Sequence, residues 1–196
     1  MNFLKYPAKV SSAWKILLDC GINSLPVNTA RLAKMLGAHV VPYSMGWDLL
    51  RGLRLYDNAS QTDGMALYIG GQSVIFVDDS VTVPRMRVTI GHELGHIILG
   101  HVRPGEVTWR NRPPAPSDAP DEFSANLFCE QLVAPSAVMF AAGVDTLYSI
   151  ADLCGITARS AAFVLARQAE RGTNYRPAPG TESALLASFA GWLHIV

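Results

Sequence analysis

The segment from Pro84 to about Leu99 constrains the fold more than any other part of the chain. Apolar residues recur in it at helical spacing, and a glycine follows it, so it predicts a long helix. A helix that is apolar around most of its circumference belongs in a protein core. This helix nevertheless carries His92, Glu93 and His96, and buried polar side chains are costly unless they are satisfied. These polar groups therefore need a chemical explanation.

These residues form the pattern H-E-x-x-H, which suits a metal site. A helix turns about 100° per residue, so His92 and His96 lie about 40° apart on one face and can bind one ion at about 2.0–2.1 Å. From the edge of that face, Glu93 can reach a water on the metal without being a ligand. Zinc lowers the pKa of such a water towards about 7 and polarises the carbonyl of the bond to be cut. Glu93 would accept the proton of the water and pass it to the amine that leaves. The alternative is two satisfied core histidines with a surface glutamate.

The third ligand has several candidates. His101 would lie about 140° from His96 around a continued helix, and the longer metzincin spacing is not met, so we expect it at the surface or beside a ligand. Glu122 and Asn126 share one predicted helix face in an E-x-x-A-(D/N) arrangement, which favours Glu122 as the ligand and leaves Asp121 as the alternative. Asn126 would accept a hydrogen bond from a ligand histidine and fix its tautomer. An ordinary acidic helix N-terminus is the simpler explanation of the two acidic residues.

The first half of the chain predicts helices and a small sheet. A helix is predicted over about 8–20, and a second begins after Asn28 as N-cap and stops at Gly37. A short strand follows at 39–43, and Pro42 would either place it at a sheet edge or end it. Two runs of β-forming residues follow, at 64–69 and 73–77. The sequence Gly-Gly-Gln lies between them, which predicts a hairpin.

The second half predicts mainly helices. Five prolines between 103 and 120 indicate a loop. Helices are then predicted at 121–133, 136–142, 146–154 and 158–171, with a final helix in the apolar stretch 184–196. Early strands and late helices are typical of the α+β class.

Residues 149–162 resemble a helix-turn-helix, with Ala151 and Gly155 at the tight contact between the two helices. Such a segment could contact DNA or a partner protein. The favoured alternative is a plain corner of two packed helices, because the only basic residues nearby are Arg159, Arg167 and Arg171.

Composition bears on the class of protein. Lys plus Arg and Asp plus Glu number 16 each, so the formal net charge is zero. A protein that binds nucleic acid through its phosphates usually carries a surplus of basic residues, and direct DNA binding is therefore disfavoured. The 3 cysteines are widely spaced and form no CxxC, which argues against a disulfide framework and a cysteine zinc site. We find neither a signal peptide nor an apolar stretch long enough for a bilayer, and therefore expect a cytoplasmic protein that enters no membrane.

Two segments resemble the ImmA/IrrE family of metallo-endopeptidases. Residues 87–101 read RVTIGHELGHIILGH and resemble its core motif, while residues 122–129 and 132–135 read EFSANLFC and LVAP and are similar to its second motif. The resemblance extends over about 8–171. The family more often has Ala at Gly91 and Met at Ala134, and neither difference removes a chemical group.

The resemblance implies a zincin-like minimal metalloprotease core, in which a small sheet packs on the H-E-x-x-H helix. It implies Zn²⁺ as the cofactor, with His92, His96 and Glu122 as ligands and Glu93 as the catalytic base. The implied substrate is a helix-turn-helix repressor of the XRE type, whose cleavage activates genes of a mobile element or a stress response. Manganese or iron would also suit the ligands, although H-E-x-x-H favours hydrolysis.

We predict three parts: a metallopeptidase domain over 1–135, a helix-turn-helix-like region over 136–172 packed on it, and a C-terminal extension over 173–196. Two other functions remain open. A zinc-fold module could sequester a repressor or toxin without cutting it, or residues 146–171 could serve a DNA-binding regulator. The zero net charge weakens the second of these.

Overall fold

The computed structural model describes residues 7–102, 119–171 and 178–196. It is an α+β protein with a small 3-stranded sheet and many helices, which confirms the predicted class and the zincin-like core. One compact unit is Asn28–Asn126, and the described residues on either side of it form a second. The predicted division at residues 135 and 172 stays a prediction.

The sheet lies within the unit Asn28–Asn126. In the order β1-β3-β2 it comprises β1 (Ala38–Pro42), β2 (Gly64–Ile69) and β3 (Gln72–Val77). β2 and β3 form the predicted antiparallel hairpin, in which Gly70 and Gly71 have φ of 58° and 86°, as a tight two-residue turn requires. β1 runs parallel to β3, and Pro42 ends it at the sheet edge, as predicted.

The helices agree with the predicted ones to within a few residues, except in two places. In chain order they are α1 (Pro7–Asp19), α2 (Thr29–Met35), α3 (Tyr43–Gly52), α4 (Tyr56–Ala59), α5 (Val83–Ile98), α6 (Ala119–Val133), α7 (Ser136–Ala141), α8 (Leu147–Cys154), α9 (Ala158–Arg171), α10 (Thr181–Ser188) and α11 (Ala190–Leu193). The sequence patterns did not predict α3 and α4. The single final helix was also wrong: α10 ends at Ser188, and α11 is a separate short helix.

The two faces of the sheet are covered by different helices. Met65, Leu67 and Phe76 pack in one buried cluster with residues of α3 and α4. Successive strand residues point to opposite faces, so Ala66 and Ile75 lie on the other face, and α5 contacts both of their strands. The sheet therefore supports the helix that carries H-E-x-x-H.

The second unit is a helical assembly in which α1 packs on α10, α7 on α10 and α9, and α8 on α9. Its buried Gln131 is satisfied, because Oε1 accepts hydrogen bonds from Trp14 Nε1 at 3.2 Å and Ser136 Oγ at 2.9 Å. The predicted helix-turn-helix-like segment forms α8 and α9, which meet at a bend of 116°.

Among the described helices, none is by itself long and apolar enough to cross a membrane. Only α8 and α9 taken together have that length and apolar composition, and they are bent by 116° relative to each other. Most of the predicted Pro-rich loop, residues 103–118, lies outside the described residues, as do residues 172–177. Residues 119 and 120, which were predicted to end that loop, instead begin α6.

Candidate metal centre

Two helices of the unit Asn28–Asn126 bring the predicted ligands together. α5 supplies His92 and His96, and the first turn of α6 supplies Glu122. The two histidine Nε2 atoms are 2.9 Å apart, and Glu122 places Oε2 3.3 Å from Nε2 of His92 and Oε1 3.5 Å from Nε2 of His96. One ligand atom from each residue lies within 4.8 Å of the others. The three side chains thus point at a common centre.

The donor set fits a divalent ion. Two imidazole nitrogens and a carboxylate are the protein ligands of many catalytic zinc sites. Two nitrogens on a tetrahedral ion at about 2.0–2.1 Å are about 3.3 Å apart, so the pair of Nε2 atoms needs to widen by only a few tenths of an ångström. In the described ranges no other group of three His, Cys, Asp or Glu side chains has this arrangement.

Burial differs between the three candidate ligands. The side chain of His96 is 0% exposed, whereas those of His92 and Glu122 are 21% and 23% exposed. Burial raises the pKa of the Glu122 carboxyl, but hydrogen bonds from His92 and His96 and their positive charge outweigh it, and the pKa is well below its usual range. Glu122 is therefore a carboxylate, the form that binds a cation.

Glu93 lies on α5 between the two histidines and is buried, at 8% exposed. It is not one of the three residues that converge on the common centre. Burial raises the pKa of Tyr43 to about 12, and the negative charge of Glu93 contributes to that rise, while a hydrogen bond with Thr62 opposes it. Glu93 is thus buried on the helix that carries both histidines, and its charge helps to keep the Tyr43 phenol protonated.

His101 and Asp121 lie beside the cluster. Nδ1 of His101 is 2.9 Å from Nδ1 of His96, and its Nε2 is 3.4 Å from Oδ1 of Asp121. His101 is thus placed where the sequence expected it, next to a ligand. Asp121, the alternative ligand, contacts His101 in this structure.

The local backbone explains how His101 reaches His96. The N–H of His101 donates to the carbonyl of His96 at 2.9 Å, and the N–H of Gly100 donates to that of Ile97 at 3.1 Å. With Gly100 at φ 74°, these bonds form a Schellman motif that ends the helix and folds the next residue back. A helix continued past Gly100 would have pointed His101 away.

Asn126 is not brought to the histidines. It lies one turn beyond Glu122 on α6, where its neighbours Ala125 and Leu127 are buried but Asn126 itself is exposed. His101, rather than Asn126, contacts the outer nitrogen of His96. The sequence predicted that the helix ends before Gly100, but the direction of His101 was judged along a continued helix, and this contact with a histidine was assigned to Asn126.

Gly64, at the start of β2, lets the strand approach α5 closely. A Cβ atom on Gly64 would lie 2.5 Å from Cγ2 of Thr89, 2.9 Å from the backbone oxygen of Phe76 and 3.7 Å from Cγ of Glu93. The first two separations are shorter than a normal van der Waals contact. A residue with a side chain here would push β2 away from the helix that carries Glu93.

We therefore expect Gly64→Ala to lower the free energy of unfolding by about 1–3 kcal/mol, the usual cost of overpacking. Urea denaturation of the metal-free protein measures this. Gly52→Ala is the matched control, because its added Cβ has nothing within 4 Å. Adding Thr89→Ser to Gly64→Ala removes the closest contact and keeps the hydroxyl that donates to the Arg85 carbonyl, so it should restore part of the loss. Equal stability of Gly64→Ala and Gly52→Ala would contradict the close approach.

Comparison with known families agrees with this geometry. Residues 33–162, more than half of the chain, match the model of peptidase family M78, described as the IrrE N-terminal-like domain. The matched region contains His92, Glu93, His96 and Glu122. No curated protein and no solved structure gave a significant match. The resemblance found in the sequence is thereby confirmed, and the chain belongs to the IrrE N-terminal-like family of peptidases.

Proposed function

We propose that the protein is a zinc-dependent endopeptidase that cleaves a helix-turn-helix repressor at a specific site. The observation that carries the peptidase part is the convergence of His92, His96 and Glu122 on one centre, with Glu93 beside it on the same helix. Membership of a metallopeptidase family supports the same reaction class.

In this proposal each residue has one task. His92, His96 and Glu122 would hold the ion, which when bound would act as a Lewis acid and lower the pKa of water. Glu93 accepts the proton of the attacking water and delivers it to the nitrogen of the leaving amine. Glu93 is largely shielded from bulk solvent, so little bulk water competes for its carboxylate.

The sheet supports a peptide as substrate. Within the described part of the chain, β2 pairs only with β3 and forms one edge of the sheet. An extended peptide can add to such an edge through main-chain hydrogen bonds. Gly64, the first residue of β2, lies next to Glu93, so a peptide bound along β2 would pass close to the proposed base.

The finer parts of the proposal rest on the family resemblance. They are the repressor as substrate, the activation of mobile-element or stress genes by its cleavage, and a cytoplasmic location. The choice of zinc over manganese or iron rests on the H-E-x-x-H helix, which is typical of hydrolytic zinc sites.

The test uses the full-length protein and a helix-turn-helix repressor encoded beside it. We expect the zinc-loaded protein to cut the repressor at one position, seen as two fragments by mass spectrometry. Removing the metal with a chelator should abolish cleavage, and adding zinc back should restore it. An intact repressor after incubation with fully zinc-occupied protein would overturn the proposal and favour the module that sequesters without cutting.

A further inference from the structure

We propose that His101 and Asp121 form a hydrogen-bonded chain that holds His96 in the tautomer that binds the metal. This inference rests on the proposed metal site and assigns two positioning residues to it. The chain runs from Nδ1 of His96 to Nδ1 of His101 at 2.9 Å, and from Nε2 of His101 to Oδ1 of Asp121 at 3.4 Å.

The two ring nitrogens of His96 face different partners. Nε2 faces the common centre, 2.9 Å from Nε2 of His92 and 3.5 Å from a carboxylate oxygen of Glu122. Nδ1 faces His101. A neutral imidazole has one N–H and one lone pair, so the contact made by Nδ1 decides whether Nε2 is free to bind a cation.

The order of protons along the chain then follows. A metal ligand at Nε2 of His96 must lack a proton there, so the proton sits on Nδ1 and is donated to Nδ1 of His101. His101 must accept at that atom and therefore carries its own proton on Nε2, which faces the acceptor Asp121. In the opposite order, the proton on Nε2 of His96 would occupy the lone pair that the cation needs.

The fold supplies both positioning residues from segments next to the ligands. The Schellman motif at Gly100 returns His101 to His96, and the side chain of His101 is only 9% exposed. Asp121 precedes Glu122 in the first turn of α6. Glu122 thus contacts His92 and His96 directly, whereas its neighbour Asp121 contacts His101, which in turn contacts His96.

Zinc affinity measured by competition with a chromophoric chelator tests the proposal. We expect His101→Ala to weaken binding about 10–100-fold, the range usual for outer partners of a metal ligand. Asp121→Asn should weaken it by less, since His101 still accepts from His96. His101→Gln should recover part of the loss, because its amide can accept from His96 and donate to Asp121. His39→Ala and Asp57→Asn, both at exposed positions, are matched controls that should bind like the wild type.

Two further measurements separate the possible failures. Urea unfolding of each metal-free variant shows whether lost affinity reflects lost structure. The ¹⁵N shifts of the ring nitrogens report the tautomers, which should be Nδ1–H for His96 and Nε2–H for His101. A wild type that binds no zinc overturns the proposed function, and this inference with it. A wild type that binds zinc with His101→Ala binding equally well, or with the proton on Nδ1 of His101, overturns this inference alone.

Discussion

Glu93→Gln is expected to keep the metal and to lose cleavage by about 10²–10⁴-fold, the usual contribution of a general acid–base group. Glutamine has nearly the same shape as glutamate but cannot accept the proton of the attacking water. Glu93 does not belong to the group that converges on the common centre, so its charge is not needed to hold the ion. Metal content by elemental analysis and the cleavage rate of the repressor measure the two effects.

The control for this variant is Asp57→Asn, which removes a negative charge at an exposed position on α4 and should change neither quantity. Loss of metal from Glu93→Gln would mean that Glu93 is a ligand and that the assignment of roles is wrong. Undiminished cleavage would mean that another group removes the proton.

His92→Ala is expected to weaken zinc binding on the order of 10²–10³-fold and to lose cleavage in parallel, because each protein ligand carries a few kcal/mol of the binding free energy. His92 is more suitable than His96 for this test, since it is partly exposed and its truncation disturbs the core less. Titration with zinc in the presence of a competing chelator gives the affinity. His39→Ala is the histidine control.

The same titration distinguishes the two acidic candidates for the third ligand. Glu122→Ala should weaken zinc binding more than Asp121→Ala, because only Glu122 points at both ligand histidines. The reverse order would make Asp121 the ligand and would contradict the geometry described for α6.

Those parts of the fold that follow from local patterns were predictable. The helix α5 and the hairpin of β2 and β3 have regular hydrophobic periodicity and glycine at their ends. Asn28 was recognisable as an N-cap, and its side chain accepts a hydrogen bond from the N–H of Arg31 at 2.9 Å. His92 and His96 share a face in any helix, so their pairing needs no tertiary information.

The helix α3 could not be predicted in this way, because its sequence contains Gly46. Glycine in a helix interior costs about 1 kcal/mol relative to alanine, which weakens the helical pattern. The structure supplies the reason for it: a Cβ on Gly46 would lie 2.7 Å from Cε1 of Phe76. Packing against the sheet therefore decides this residue, and a single sequence does not reveal that contact.

The outer part of the site was also beyond local patterns. Asp121 and Glu122 are neighbours about 100° apart around α6, and only tertiary packing decides which of them faces the histidines. The same packing brings Asp121 to His101 and leaves Asn126 at the surface. Spacing within one helix therefore identifies the candidates, while contacts between helices select among them.

The division of ligands between α5 and α6 also concerns the stability of the chain. An ion held by His96 and Glu122 would need side chains from two helices that only the folded chain brings together, so it would bind the folded state in preference to the unfolded chain. By mass action, such an ion adds about 2.7 kcal/mol to the folded state when its free concentration is 100 times Kd. Loss of the metal would therefore lower the free energy of unfolding as well as leave the site without its ion.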